Sequence, residues 1–267
     1  TDPRFYYPNT DAGRQVYLQE TETIIDAMKQ RLGQLFISLP EAELVVKRVE
    51  AFREESAGTA FYERPAPDGS RPGRYYVNLH DMGEMPIYQM EALAYHEGVP
   101  GHHMQIAIAQ EVKDMPRFRR YGFYTAYVEG WGLYAELLPK EIGFYSDPYS
   151  DFGRLAMELW RACRLVVDTG IHSKRWSREQ AIEYLMQNTP SPRPEVEDAV
   201  DRYSVLPSQA TAYKIGMLKI LELRARAIRE LGDKFDIREF HDVVLRNGAL
   251  PLNILESLID EWLNGYE

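Results

Sequence analysis

The stretch Tyr95-His96-Glu97-Gly98-Val99-Pro100-Gly101-His102-His103 holds three of the six histidines and decides how the rest of the chain is read. In a zinc-hydrolase helix, two histidines four residues apart project from one face toward a metal, and the glutamate after the first is the general base. Here the position four after His96 is Pro100, and His102 comes six after. Six residues of a regular helix turn by about 600° and rise about 9 Å, so His96 and His102 meet at one ion only if the backbone leaves the helix between them. Gly98, Pro100 and Gly101 supply the means, because proline lacks an amide donor and glycine accepts dihedrals that other residues avoid. His103 returns to the face of His96 but about 10 Å along the axis, and stands as the alternative to His102. The plainer alternative is a helix that ends at Gly98 and leaves its histidines at the surface.

A zinc site with an open position for water needs a third protein ligand. The segment Tyr127-Val128-Glu129-Gly130-Trp131-Gly132-Leu133-Tyr134-Ala135-Glu136 offers Glu129 and Glu136, seven apart and on one helical face. Both sit among apolar and aromatic residues, where an unpaired carboxylate is costly. A metal would satisfy one of them, and Glu129 is the expected ligand, with Glu97 as base.

Around this centre the periodicity predicts mostly helix. Apolar positions recur at helical spacing from Ala12 to Gly33, from Ile87 into Glu97, from Tyr124 to Leu138, from Leu155 to Val167, and from Trp176 to Gln187 with Ser177 as N-cap. Asp236 with Glu239 resembles a capping box for a helix ending near Gly248, and Pro251 opens a last helix with Leu255 and Ile259 on its core face. The segment Asn188–Pro194 reads as a proline-rich connection. Valine-rich Glu43–Phe52, Thr59–Tyr62 and Arg74–Leu79 read as three short strands, the last two separated by the turn signals of Pro65–Gly73. The expected fold is mainly α with a small antiparallel β element, in one domain over residues 1–267. Arg74–Leu79 is the expected edge strand for an extended peptide.

Composition narrows the partners. The 31 basic against 41 acidic residues give a formal charge of −10, and no basic block suited to phosphates is present, so nucleic acid is not an expected partner. The single cysteine, Cys163, excludes an intrachain disulfide and a cysteine-rich zinc site. No window approaches the ~18 apolar residues of a membrane span. The opening at Thr1 reads as a piece of a longer protein, so the expected location is left between cytoplasmic and exported.

The stretches His96–Gln105, Glu129–Glu136, Val167–His172 and Gln209–Gly216 together resemble bacterial proteins carrying the domain of unknown function 885, which look like distant relatives of gluzincin peptidases. The resemblance runs from about Gly73 to the end of the chain. It implies a zincin-like helical catalytic domain, the C-terminal part of a longer protein that supplies a missing N-terminal half. It also implies zinc-dependent hydrolysis of peptides or peptide-like amides, with His96, His102 and Glu129 as ligands and Glu97 as base. For the developing oxyanion, Tyr213 is the first candidate donor and His172 the second, because both fall in these stretches.

Further roles follow from the chemistry. A carboxypeptidase needs a cation for the substrate's terminal carboxylate, and Arg161, Arg164, Arg202 and Lys214 are available; an oligopeptidase does not. Asp168 is a candidate to orient a ligand histidine. His80 and His241 read as surface or cap residues. The competing readings are a non-catalytic metal-binding or structural module, and a metal-dependent hydrolase of a non-peptide bond.

Overall fold

The computed structural model describes residues 2–113 and 115–266. The fold is mainly helical, 65% helix, with one three-stranded sheet among the described residues. Helix α1 (Asp11–Lys29) precedes β1 (Leu44–Arg48), β2 (Ala60–Glu63) and β3 (Gly73–Val77). There follow α2 (Ile87–Glu97), α3 (His102–Glu111), the single turn α4 (Arg117–Arg120), α5 (Thr125–Glu141), α6 (Pro148–Lys174) and α7 (Arg178–Asn188). The chain closes with α8 (Arg193–Val205), α9 (Ala212–Leu231), α10 (Ile237–Leu245) and α11 (Leu252–Asn264). No helix among the described residues is long and apolar enough to cross a membrane.

Caps fix several of these ends. Ser177 accepts from the Gln180 amide while the Gln180 side chain accepts from the Ser177 amide, the reciprocal pair that starts α7. Asp236 caps α10 through the Arg238 amide. The expected proline-rich connection 188–194 opens directly into an additional helix, α8, with Pro194 in its first turn, where a missing amide costs nothing.

The sheet departs from expectation in one respect. Strands β2 and β3 form an antiparallel pair, Ala60 opposite Val77 and Glu63 opposite Arg74, across a turn in which Gly69 takes φ +75°. Strand β1 lies on the other side of β3 and runs parallel to it, Leu44 opposite Gly73 and Arg48 opposite Val77. The sheet is therefore mixed, not antiparallel. The 49–59 connection makes the difference by wrapping round the end of β3, where Asn78 donates to the carbonyls of Glu54 and Ala57. In consequence β3 is the middle strand and not the expected edge; β2 is the edge that faces the cleft described below.

The larger core packs α1, the sheet, α2, α5 and α9 around Tyr17, Ile25, Tyr95, Trp131 and Ile220. A smaller core under α6, α7 and α8 contains Val167, Leu185, Val196 and Val200. Each such aliphatic side chain, fully buried, contributes about 1.5–3 kcal/mol. Helices α5 and α9 cross backbone to backbone: a Cβ on Gly130 would lie 2.4 Å from the Gly216 Cα.

His241 is not a surface residue. It falls on the buried face of α10 with Phe240 and Val244, accepts at Nε2 from the Tyr134 hydroxyl at 2.9 Å and donates from Nδ1 to the Leu35 carbonyl at 2.8 Å. Burial pushes it down to about 3, so the ring is neutral. His80 is exposed, as expected.

Candidate metal centre

Helix α2 stops at Glu97, where the Gly98 amide still donates to the Ala94 carbonyl, and α3 starts at His102. The chain between them passes through the cis Val99–Pro100 peptide and Gly101. Gly101 lies so close to α2 that a Cβ there would come 1.9 Å from the His96 carbonyl oxygen, a position open to glycine alone. Trp131 Nε1 donates to the Pro100 carbonyl at 2.9 Å and ties this junction to α5. The departure from helical geometry is thus a junction between two helices. It brings the His96 and His102 rings to 4.7 Å, nearly perpendicular at 85°.

Glu129 completes the group from α5. Its Oε2 lies 3.6 Å from His96 Nε2 and 3.4 Å from His102 Nε2. One ligand atom from each of the three residues lies within 4.8 Å of the others. Gly132 permits the approach, since a Cβ there would lie 2.7 Å from His96 Cε1 and 3.0 Å from His102 Cε1.

The donor set fits zinc. Two imidazole nitrogens and a carboxylate oxygen are its usual partners, and ligands at about 2.0–2.2 Å in a tetrahedron stand about 3.3–3.6 Å apart. The carboxylate lies 3.6 and 3.4 Å from the two nitrogens, and three ligands leave a position open.

His103 points elsewhere. Its Nδ1 meets the Tyr62 hydroxyl at 3.0 Å and its Nε2 the Ala42 carbonyl at 3.1 Å, so of the two neighbouring histidines His102 joins the cluster. His96 is oriented by Glu136, whose Oε1 lies 2.7 Å from Nδ1. Asp168 does not take this part; its carboxylate accepts from the Ser208 amide at 3.2 and 3.1 Å and holds the loop before α9. The sequence offers both acids on one face with Glu129 as the expected ligand; the hold of Glu136 on His96 is not read from their spacing.

The charges are coupled. Burial opposes a charged His96, yet Glu129 and Glu136 outweigh it and push the ring up to about 10. Burial likewise opposes charge on Glu129, but His102 and His96 hold its carboxyl well below the usual range. Glu97 is different: burial dominates over the two histidines and its carboxyl is raised.

Glu97, His96, His102 and Glu129 face a cleft of about 550 Å³. Residues 58–62 of the β2 edge, Arg161 and Arg164 of α6, Arg202 of α8 and Tyr213 of α9 line the same space. The Tyr213 ring stacks on His96 with centroids 6.3 Å apart, and its oxygen accepts from Gln209 Nε2 at 3.2 Å. His172 is not brought to the cluster. Its Nε2 donates to the Tyr203 carbonyl at 2.8 Å, tying α6 to α8, a direction the sequence around it does not encode. Lys214 is taken up by Glu158 at 2.5 Å.

Fold and site together define a mainly helical protein with a His-His-Glu cluster on the floor of a cleft. Residues 1–259 match the family described as bacterial protein of unknown function (DUF885), and the chain belongs to that family. It is similar to the crystal structure of the putative lipoprotein from Colwellia psychrerythraea, at 45% identity over 99% of this chain and 45% of that one, with a TM-score of 0.96. A putative lipoprotein of unknown function from Shewanella oneidensis shares the fold at 24% identity and a TM-score of 0.78, over 91% of this chain and 45% of that one. The chain thus spans 45% of the length of each of these structures. No curated protein matches it.

Proposed function

We propose that the protein is a zinc-dependent hydrolase of peptide bonds, a gluzincin-type metallopeptidase acting on peptides or peptide-like amides. The observation that carries this reading is the convergence of His96, His102 and Glu129 beside Glu97 on a cleft floor. The three would hold zinc, which supplies Lewis acidity toward water and a substrate carbonyl. Glu97, buried and with a raised carboxyl, accepts the proton of the attacking water and returns it to the leaving amine. Tyr213 would donate to the developing oxyanion: its ring stacks on His96 and its oxygen accepts from Gln209, which leaves the hydroxyl proton free for substrate. The lipoprotein description of the Colwellia psychrerythraea neighbour favours an exported location, and the 45% coverage favours a role as part of a longer protein.

The test is metal analysis and peptide hydrolysis on the full-length protein and its Glu97→Gln variant. One zinc in both, with hydrolysis in the parent alone, is the expected result. Zinc without hydrolysis of any peptide in a broad panel makes the protein a metal-binding module, and hydrolysis that survives Glu97→Gln removes the base assignment.

A further inference from the structure

The cleft carries a second chemical feature. Arg161 and Arg164 line it from α6, and neither makes an ion pair among the described residues. Arg164 is 8% exposed, its Nε is buried without a partner, and its one side-chain hydrogen bond runs from Nη2 to Gln209 Oε1 at 3.3 Å. Arg161 Nε is likewise buried and unpartnered. A buried guanidinium without a carboxylate is costly. Arg154, on the same helix and equally buried at 7%, has two acidic partners, Asp151 at 2.9 Å and Glu158 at 3.5 Å. The pair lining the cleft thus makes no close ion pair among the described residues of a chain whose formal charge is −10, although Glu97 and Glu195 line the same cleft and feel the Arg161 charge at longer range.

We infer that Arg161 and Arg164 bind the free C-terminal carboxylate of the substrate, so that the site cuts one or two residues from a carboxyl end. This rests on the peptidase reading above for the cut, though not for the binding. Arg164 is flanked by aromatic faces, 4.4 Å above the Tyr213 ring and 5.2 Å above the Tyr203 ring, which fix its donor fork. Arg161 lies 5.7 Å from the Tyr213 centroid and lines the same cleft, so the two guanidinium carbons are no more than about 10 Å apart. Because Tyr213 also stacks on His96 at 6.3 Å, the Arg164 guanidinium and the His96 ring are no more than about 11 Å apart. A guanidinium–carboxylate pair occupies about 4 Å of that. The remainder accommodates at most about two residues at ~3.3–3.6 Å each. Gln209 links the parts, accepting from Arg164 and donating to Tyr213, so seating a carboxylate also settles the oxyanion donor.

Calorimetry on the zinc-loaded, full-length Glu97→Gln protein tests this without turnover. The probes are N-acetyl dipeptides ending in alanine, leucine, phenylalanine or lysine, each as free acid and as carboxamide. The acids are expected to bind on the order of 30-fold more tightly than the amides, the preference falling to about 3-fold or less in Arg164→Met and returning in part in Arg164→Lys. Equal binding of acid and amide, no binding of either, or a preference that survives Arg164→Met overturns the assignment. A preference for the acids in a protein whose parent cleaves no peptide supports the anchor while sinking the peptidase reading.

Discussion

His96 is held from both ends: Nδ1 lies 2.7 Å from Oε1 of Glu136, while Nε2 lies 3.6 Å from Oε2 of Glu129, seven residues earlier on the same helix. One acid fixes the ring and presents its far nitrogen to the point where the other acid waits. Glu136→Gln removes the charge that orients His96 and leaves the three ligands in place. Zinc affinity, measured by competition with a chromophoric chelator, is expected to fall about 10- to 100-fold. An unchanged affinity would show that Glu136 only fills space.

Zinc that binds the folded protein alone must stabilise it. With free zinc at about 100 times its dissociation constant, the gain in unfolding free energy is about 2.7 kcal/mol, reversed by chelation. His102→Ala should abolish this increment. His103→Ala should keep it, because that ring bonds to Tyr62 and Ala42 and turns its nitrogens away from the cluster. The increment between zinc-loaded and chelated samples isolates the metal term from any general loss of stability.

Gly132→Ala probes the closeness of α5 to the imidazoles. The added carbon would stand 2.7 Å from one ring and 3.0 Å from the other, so the rings must shift or the helix must retreat. Overpacking of this kind costs about 1–3 kcal/mol. Zinc affinity is expected to drop about tenfold or more while the helical circular dichroism is kept. Full affinity in the alanine variant would mean that the helix yields without disturbing the ligands.

His241 predicts an acid-sensitive component of stability. Folded, it is pushed down to about 3 by burial; unfolded, it titrates near its ordinary 6.5. As pH falls below about 6.5 the unfolded chain takes up a proton that the folded chain refuses. This contribution is therefore fully present above about 6.5 and declines toward 3, by up to about 1.4 kcal/mol per pH unit. His241→Asn keeps a donor for the Leu35 carbonyl and cannot take up the proton. Urea midpoints followed from pH 7.5 down to 4.5 should fall less steeply in the variant.

Much of this arrangement was legible from residue spacing because it is local. The glycines and proline between His96 and His102 announced a break in the backbone, and Glu129 with Glu136 announced an acidic face on α5. Helical periodicity found α1, α2, α5 and α7 to within a few residues, and the turn at Pro65–Gly73 found the β2–β3 pair. What escaped depends on partners distant in sequence. The parallel placement of β1 is decided by a connection anchored on Asn78, thirty residues past the end of that strand. The burial of His241 depends on Leu35 and Tyr134, and the turning away of His172 on the Tyr203 carbonyl. A side chain's identity bounds what it bonds to; its direction is set by packing.

The contact of Gly130 with Gly216 bears on how the centre keeps its dimensions. Glu129 stands one residue from this joint and Tyr213 three residues from it on the opposite helix, and no side chain intervenes at the crossing. The two chemical groups are thus mounted on a caliper whose jaws close on bare main chain, a stop with no rotamers to wander. A wider residue at either glycine would reset the gauge for acid and phenol together, altering the site's tolerance without touching one of its reactive atoms.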